Sequence, residues 1–325
     1  MCIMLYIAFD ARKNRKVLWR FFIMARCPKC NAFHWKANFC KKCGADLRKS
    51  IPSVVPTPAP PTTPSFSSNM LDTVHKLAPY KLQKNPDGVT YTIVGVNHQF
   101  IETVNIPNCV TCIGVGAFYN CKKLTTVTLP ESITRIEESA FGLCKSLVSV
   151  TIPIGVKYIG ESAFQECEKL TSVTIPESVT SIGASAFARC RSLTSIKIPN
   201  GVTKIERYTF GECISLSSVI IPDGVTNIED TAFYFCHRLS SIDMPKKCKR
   251  IGMKAFYSCT SLTSISIPDG CKTIDAEAFS RCISLTSITI PGSVKNIYKN
   301  AFLDCHSLTN INAPQHLLNK FLNIE

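Results

Sequence analysis

The stretch from Pro176 to Ile198, PESVTSIGASAFARCRSLTSIKI, is one copy of a pattern that fills most of the chain. Prolines recur with its 23-residue spacing, without an insertion, at positions 107, 130, 153, 176, 199, 222, 245, 268, 291 and 314. Phenylalanine recurs in the same way from Phe118 to Phe302. A fixed period of this length is typical of a solenoid, in which each unit buries its apolar face against its neighbours. The sequence therefore predicts an array of about ten units.

The end of this unit carries the signature of a β-strand. Ile196 and Ile198 alternate with polar residues, as a strand with one buried face requires. Pro199 follows and ends the strand, because proline has no N–H to donate to a sheet. Val179 and Ile182 return the chain along the far side, where the short unit leaves room only for short strands, 3₁₀ turns or single helical turns. We therefore predict a mainly β solenoid built on a parallel sheet.

The repeated pattern resembles a known family. It reads Leu-x-x-Val-x-Ile-Pro-x-x-Val-x-x-Ile-Gly-x-x-Ala-Phe-x-x-Cys and covers residues 107–313 almost without departure. This is similar to the BspA-like, or Treponema-type, leucine-rich repeat. The resemblance implies a right-handed leucine-rich-repeat coil of about ten 23-residue units, used for adhesion or protein binding and without catalytic residues.

Both ends of the array depart from the pattern in ways that predict caps. Residues 80–106 resemble a degenerate first unit, with Gly95 at the phenylalanine position and His98 at the cysteine position. Residues 314–325 space their apolar side chains as a short amphipathic helix does. Terminal units of a solenoid need such caps to cover the open core.

Most of the 18 cysteines belong to the repeat rather than to a disulfide framework. Nine of them share one position per unit: Cys121, Cys144, Cys167, Cys190, Cys213, Cys236, Cys259, Cys282 and Cys305. Their spacing at the distance between strands is longer than a disulfide prefers, so we predict small buried hydrophobic side chains. So many unpaired thiols favour a reducing compartment, and hence the cytoplasm. The cell surface, reached by an unrecognised route, is the alternative.

Four other cysteines form a separate motif near the amino terminus. They make two Cys-x-x-Cys pairs, Cys27, Cys30, Cys40 and Cys43. Four thiolates at this spacing suit a tetrahedral Zn²⁺, and the motif resembles a short zinc ribbon, a structural metal site. The set is complete without His34 and leaves no open position for catalysis. A redox-active dithiol and unliganded thiols are the alternatives.

The chain therefore divides into four predicted segments. These are an unstructured or mis-assigned extension (1–23), a zinc ribbon (24–50), a Pro/Ser/Thr-rich linker (51–79) and the solenoid (80–325). Translation could begin at Met1 or at Met24. In the extension the basic residues follow the apolar stretch, which is the reverse of an export signal.

Composition and charge exclude several classes of protein. A content of 45% hydrophobic and 18% charged residues excludes a wholly disordered chain, and no apolar run reaches the roughly 18 residues of a membrane span. The net charge of +14 is concentrated in residues 1–50, which hold 12 Lys or Arg against 2 Asp or Glu. A basic zinc ribbon makes nucleic acid a possible partner. We find no phosphate-binding glycine loop and no His-Glu-x-x-His motif, and we predict no enzymatic activity.

A protein partner is the favoured ligand. The exposed positions of the strands are mostly Ser and Thr, whereas protein-binding hot spots favour Trp, Tyr and Arg. We therefore predict that the partner binds at the variable residues around the repeated cysteine, Tyr234, Phe235, Arg238 and Tyr257. A column of like charges, Lys249, Lys272 and Lys295, predicts that the partner is acidic. The sequence favours a non-enzymatic scaffold; a nucleic-acid-binding adaptor and an adhesin-like surface protein are the alternatives.

Overall fold

The computed structural model describes residues 25–26, 33–34, 79–298 and 300–322. The chain forms two compact units, Met1–Phe66 and Ser67–Glu325. In the first unit, the strands Ala25–Arg26 and Phe33–His34 pair in antiparallel fashion. The four candidate zinc ligands, the extension and almost all of the linker lie outside the described residues.

The second unit is a β-solenoid, and its three-residue strands come from the Val-x-Ile part of the repeat. Their outer residues are exposed and most of their middle residues are buried, because alternate side chains of a strand point to opposite faces. Neighbouring strands are parallel and lie one 23-residue unit apart, so that Ser172 pairs with Ser149. We call this set the long strands: Thr103–Asn105, Thr126–Thr128, Ser149–Thr151, Ser172–Thr174, Ser195–Lys197, Ser218–Ile220, Ser264–Ser266, Ser287–Thr289 and Asn310–Asn312.

A second set of parallel strands lies later in each unit. Each of these short strands ends in the isoleucine of the repeat, which is buried in all of them except the last, as Ile182 is after Ser181. They are Val110–Ile113, Arg135–Ile136, Tyr158–Ile159, Ser181–Ile182, Lys204–Ile205, Asn227–Ile228, Arg250–Ile251, Thr273–Ile274 and Asn296–Ile297. The prediction of short strands on the far side is confirmed, but the sequence did not show that they pair with one another into sheets.

The remainder of each unit is a series of tight turns, which we call the turn edge. Two residues per turn have left-handed backbone angles, for example Ser185 (φ 56°) and Arg189 (φ 59°). This conformation costs a residue with a Cβ about 1–2 kcal/mol. Its benefit is that alternate N–H groups point at the next unit: Ser185 donates to Arg207 O at 2.9 Å and Arg189 donates to Gly211 O at 2.7 Å. The turn edge is therefore a third hydrogen-bonded ladder.

The core is filled by repeated columns of side chains. The phenylalanine rings stack nearly parallel, with centroids 5.1 Å apart for Phe118 and Phe141 and 5.3 Å apart for Phe141 and Phe164. Dispersion and burial of aromatic surface both favour this column. Because the rings repeat in register, every unit can pack on the next without repositioning its neighbours.

The cysteine column confirms the prediction of buried thiols and adds a function for the sulfur. The column is buried from Cys121 to Cys282, and Cys305 is partly exposed in the last unit. Each thiol from Cys144 onward donates to the carbonyl of the preceding unit's phenylalanine, as Cys190 Sγ does to Phe164 O at 3.2 Å. Burial raises the pKa of Cys121 to about 11, so the thiol stays neutral. A neutral thiol is both a small apolar group and a weak donor, which suits this position.

The two ends of the solenoid are closed by different elements. At the start, Tyr80–Lys84 and Tyr91–Val96 form an antiparallel hairpin, and the second strand pairs in parallel with Val110–Ile113. Ile93 pairs with Ile113 only 20 residues later, so the amino-terminal cap is a shortened unit with a hairpin rather than a degenerate 23-residue copy. At the other end, Gln315–Leu322 forms the expected helix, and Leu317 is fully buried.

Candidate functional site

Three of the predicted partner-binding residues lie together on the turn edge. Tyr234 and Tyr257 occupy the same position in successive units, and their rings stack with centroids 5.2 Å apart. The Phe235 ring lies 4.4 Å from that of Tyr234 and 5.7 Å from that of Tyr257. All three side chains are half-buried, so each ring keeps part of its surface in contact with solvent.

A fourth ring, which the sequence did not indicate, joins this group. Tyr208 lies 6.2 Å from Tyr234, and its ring lies against Gly211 so closely that a Cβ there would clash with it. The phenol donates to Glu212 at 2.5 Å. Burial, together with this hydrogen bond, raises the pKa of Tyr208 to about 12, which keeps the hydroxyl protonated. We call Tyr208, Tyr234, Phe235 and Tyr257 the aromatic patch.

Two cations border the aromatic patch. Lys254 Nζ and the Arg281 guanidinium lie 5.6 Å and 5.7 Å from the centroid of the Tyr257 ring, within the range of cation–π attraction. Lys254 also pairs with Glu277 at 3.4 Å, and Arg281 pairs with Asp304 at 3.3 Å. Arg238 is exposed, and within residues 79–298 and 300–322 it makes no ring contact with the patch.

Charged side chains from the preceding units follow the same edge. Arg189 bridges Glu166 at 3.0 Å and Glu212 at 3.1 Å. We call this set of alternating charges the ionic strip: Lys145, Glu166, Glu168, Arg189, Arg191 and Glu212. Exposed ion pairs contribute about 0–1 kcal/mol each to stability. The ionic strip therefore adds little to the free energy of folding and mainly gives this edge a surface of alternating charge.

The predicted lysine column exists but lies on another part of the unit. Lys272 N–H donates to Lys249 O at 2.8 Å and Lys295 N–H donates to Lys272 O at 2.9 Å, which places the three residues in successive turns. All three side chains are exposed. Lys249 directly precedes the short strand Arg250–Ile251, whereas the aromatic patch follows the short strands. The sequence did not indicate on which part of the unit the lysine column lies.

Neighbouring acids neutralise Arg250, the basic residue that follows Lys249. Arg250 pairs with Glu229 at 2.7 Å, with Asp230 at 2.8 Å and with Asp275. Lys249 and Lys272, in contrast, make no ion pair with any described residue. These two lysines are therefore available to an anionic group.

The long-strand face offers few anchors for a partner. Its exposed residues are largely serine and threonine, and Ile220, which is 58% exposed, is a large apolar residue among them. The described residues contain no group of His, Cys, Asp or Glu that could hold a metal ion. No helix among them is long and apolar enough to cross a membrane.

Comparisons with known proteins agree with this architecture. The family model described as the BspA type leucine rich repeat region (6 copies) matches residues 96–216 and 203–320. The leucine rich repeat protein of T. pallidum (TpLRR) is 29% identical, with a TM-score of 0.52, over 57% of this chain and 88% of that one. A leucine rich cell surface protein of Faecalibacterium prausnitzii is 26% identical, with a TM-score of 0.40, over 74% of this chain and 95% of that one.

No curated protein matches the chain. The family assignment therefore depends on the repeat itself, whose prolines, phenylalanines and cysteines keep one spacing through the matched region. Since the family model covers well over half of the 325 residues, this protein belongs to the family of BspA type leucine-rich-repeat proteins.

Proposed function

We propose that the protein is a non-enzymatic scaffold that binds a protein partner through the turn edge of its solenoid. The observation that carries this proposal is the aromatic patch, four half-exposed rings bordered by Lys254 and Arg281. Tyrosine and arginine are enriched in the parts of interfaces that supply most of the binding energy. Repeat proteins use such extended surfaces to bind other proteins.

The chemistry of the edge favours a partner with both apolar and acidic groups. The rings supply apolar surface at a low cost in side-chain entropy, because each has only two rotatable bonds. Lys249 and Lys272 lie one unit apart and attract acidic groups over longer distances. We infer that the aromatic patch determines how long the partner stays bound and that the lysines determine how fast it arrives.

Replacing Phe235 with alanine should weaken partner binding by about 1–3 kcal/mol, because the ring would no longer be buried in the interface. The partner is first captured from a lysate on the full-length protein, and its affinity is then measured with purified components. Phe100→Ala is the matched control, because Phe100 is 72% exposed and lies outside the patch.

Lys272→Glu should mainly reduce the dependence of the association rate on salt.

Gly211→Ala gives an independent test of the same site. A methyl group there would clash with the Tyr208 ring and displace it, and should also weaken binding. If Phe235→Ala and Gly211→Ala bind like the control while Ile220→Asp abolishes binding, the partner binds the long-strand face and the proposal is wrong.

We further propose that Cys27, Cys30, Cys40 and Cys43 hold a structural Zn²⁺ that makes the amino-terminal unit a second interaction module. The pairing of Arg26 with Phe33 supports this proposal. Cys27 and Cys30 lie between these two paired residues in the sequence, and a Cys-x-x-Cys pair is a common source of two zinc ligands.

Elemental analysis of the purified protein should find one zinc per chain, and Cys27→Ser should remove most of it. Four thiolates bind Zn²⁺ tightly, and loss of one opens the tetrahedral site. Cys109→Ser, which changes a half-buried thiol of the solenoid, is the control and should leave the zinc content unchanged. A metal content that does not respond to Cys27→Ser would contradict the assignment.

A further inference from the structure

The solenoid has a discontinuity between two adjacent units. The short strands Ser181–Ile182 and Lys204–Ile205 are neighbours along the array but do not pair. The short strands therefore divide into two sheets, one of five strands and one of four that the two strands of the amino-terminal hairpin extend to six. The other neighbouring short strands pair in register, as Asn227 does with Arg250. Nowhere else in the described array does the short-strand side break.

Backbone hydrogen bonds around these strands locate the break. In other units the residue before the short strand donates to the preceding unit at 2.7–3.0 Å, and the residue after it donates at 2.8–2.9 Å. The corresponding N–H groups of Thr203 and Glu206 make neither bond with any described residue. Two bonds and one strand pairing are thus lost at a single step of the array.

The long strands separate at the same step. Ser172–Thr174 does not pair with Ser195–Lys197, although both pair with their other neighbours. The bond from Thr194 N–H to Thr171 O is 3.5 Å long, against 2.8–3.2 Å for the other bonds formed at this position. The long strands are also irregular at residues 241–243, but there the short strands remain paired.

The turn edge, in contrast, is continuous across this step. Ser185, Phe187 and Arg189 donate to the following unit at 2.9, 3.0 and 2.7 Å. The ion pair between Arg189 and Glu212 also spans it. The two halves of the solenoid therefore keep backbone bonds along the turn edge and lose strand pairing along both sheets. At the turn between the two sheets, Glu177 also bridges the halves, accepting from Asn200 N–H at 3.0 Å and pairing with Lys197 at 2.7 Å.

One buried residue distinguishes the unit that follows the discontinuity. One buried position per unit is alanine throughout the array except at Thr209: Ala117, Ala140, Ala163, Ala186, Ala232, Ala255, Ala278 and Ala301. Thr209 is 1% exposed and three residues after Glu206, whose carbonyl its hydroxyl bonds at 2.8 Å. The extra atoms must be accommodated in a close-packed column. The rings of Phe187 and Phe210 are 5.9 Å apart, whereas the other neighbouring pairs are 5.1–5.4 Å apart.

We propose that this step is a hinge, at which the carboxy-terminal units rotate relative to the amino-terminal units about the continuous turn edge. We call the surface between residues 172–194 and residues 195–217 the seam. Regions with fewer backbone hydrogen bonds open with a smaller free energy than their surroundings. Thr209 acts as the wedge that keeps the seam open. The aromatic patch lies wholly on the carboxy-terminal side, so the hinge does not depend on the proposed partner site.

Amide-resolved hydrogen exchange on the full-length protein tests the hinge. Thr203 and Glu206 should exchange at least about tenfold faster than Thr226 and Glu229, the matched amides one unit later, which donate at 2.8 and 2.9 Å. Protection of Thr203 and Glu206 equal to that of Thr226 and Glu229 would overturn the proposal.

Two reciprocal substitutions test the wedge. Thr209→Ala restores the alanine column and should slow exchange at Thr203 and Glu206 to the rate of the matched amides. Ala232→Thr places a second wedge one unit later and should speed exchange at Thr226 and Glu229 by about tenfold. Continued fast exchange in Thr209→Ala would show that Thr209 does not hold the seam open, and would overturn that part of the proposal even if Ala232→Thr fails to fold.

Discussion

Deleting Pro153–Ile175 should leave a folded solenoid that is one unit shorter, whereas deleting residues 153–164 should unfold much of the array. The first deletion removes one full period and joins Ile152 to Pro176, so that every column continues in register. The second removes half a period and brings core positions onto surface positions. Because each unit contacts only its neighbours, the fold tolerates loss of a whole unit but not of a fraction.

The local packing at the new junction supports this expectation. A Cβ at Gly160 would clash with the backbone of Glu137 and Glu138, and a Cβ at Gly183 would clash with the backbone of Gly160 and Glu161. After the deletion, Gly183 takes the place of Gly160 against Glu137. The close approach between units is therefore preserved by a residue that also lacks a side chain.

Circular dichroism and cooperative urea unfolding of both deletion variants check this prediction. The shorter solenoid should keep the spectrum of the parent protein and unfold with a smaller dependence on urea concentration, since less surface becomes exposed. Equal tolerance of both deletions would contradict a 23-residue structural unit.

Replacing Phe164 with alanine should cost about 3–5 kcal/mol of unfolding free energy. The ring is fully buried and stacks on both neighbours, Phe141 at 5.3 Å and Phe187 at 5.4 Å. Removing it leaves a cavity between two units that the rigid ladders on three sides prevent from collapsing. The loss therefore includes the contacts on both faces of the ring as well as the burial of the ring itself.

Phe100→Ala provides the control for this measurement. Phe100 is exposed on the surface, with Lys123 Nζ 5.4 Å from its ring centroid, and its replacement should change the unfolding free energy by no more than about 0.5 kcal/mol. Urea unfolding followed by circular dichroism compares the two variants. A Phe164→Ala variant as stable as Phe100→Ala would show that the phenylalanine column is not the core of the array.

The sequence by itself determined the unit of this fold. The 23-residue spacing shows which residues share a column, and the alternation of Ile196 and Ile198 shows which face of the strand is buried. Burial of the phenylalanine and cysteine columns followed directly, because residues that repeat in a solenoid repeat in environment. Tyr234, Phe235 and Tyr257 could be grouped for the same reason, since they lie at neighbouring positions of successive units.

Only the tertiary structure decided the features that depend on departures from the repeat. The sequence did not indicate that Tyr208 joins the aromatic patch, because its ring reaches the patch by lying across Gly211. Nor did it separate the lysine column from that patch, because a period defines columns but not which side of the coil each column occupies. The seam at Thr209 is the clearest case. The extra volume of Thr209 in the alanine column breaks hydrogen bonds between the short strands and between the long strands. This coupling exists only when the units are packed together.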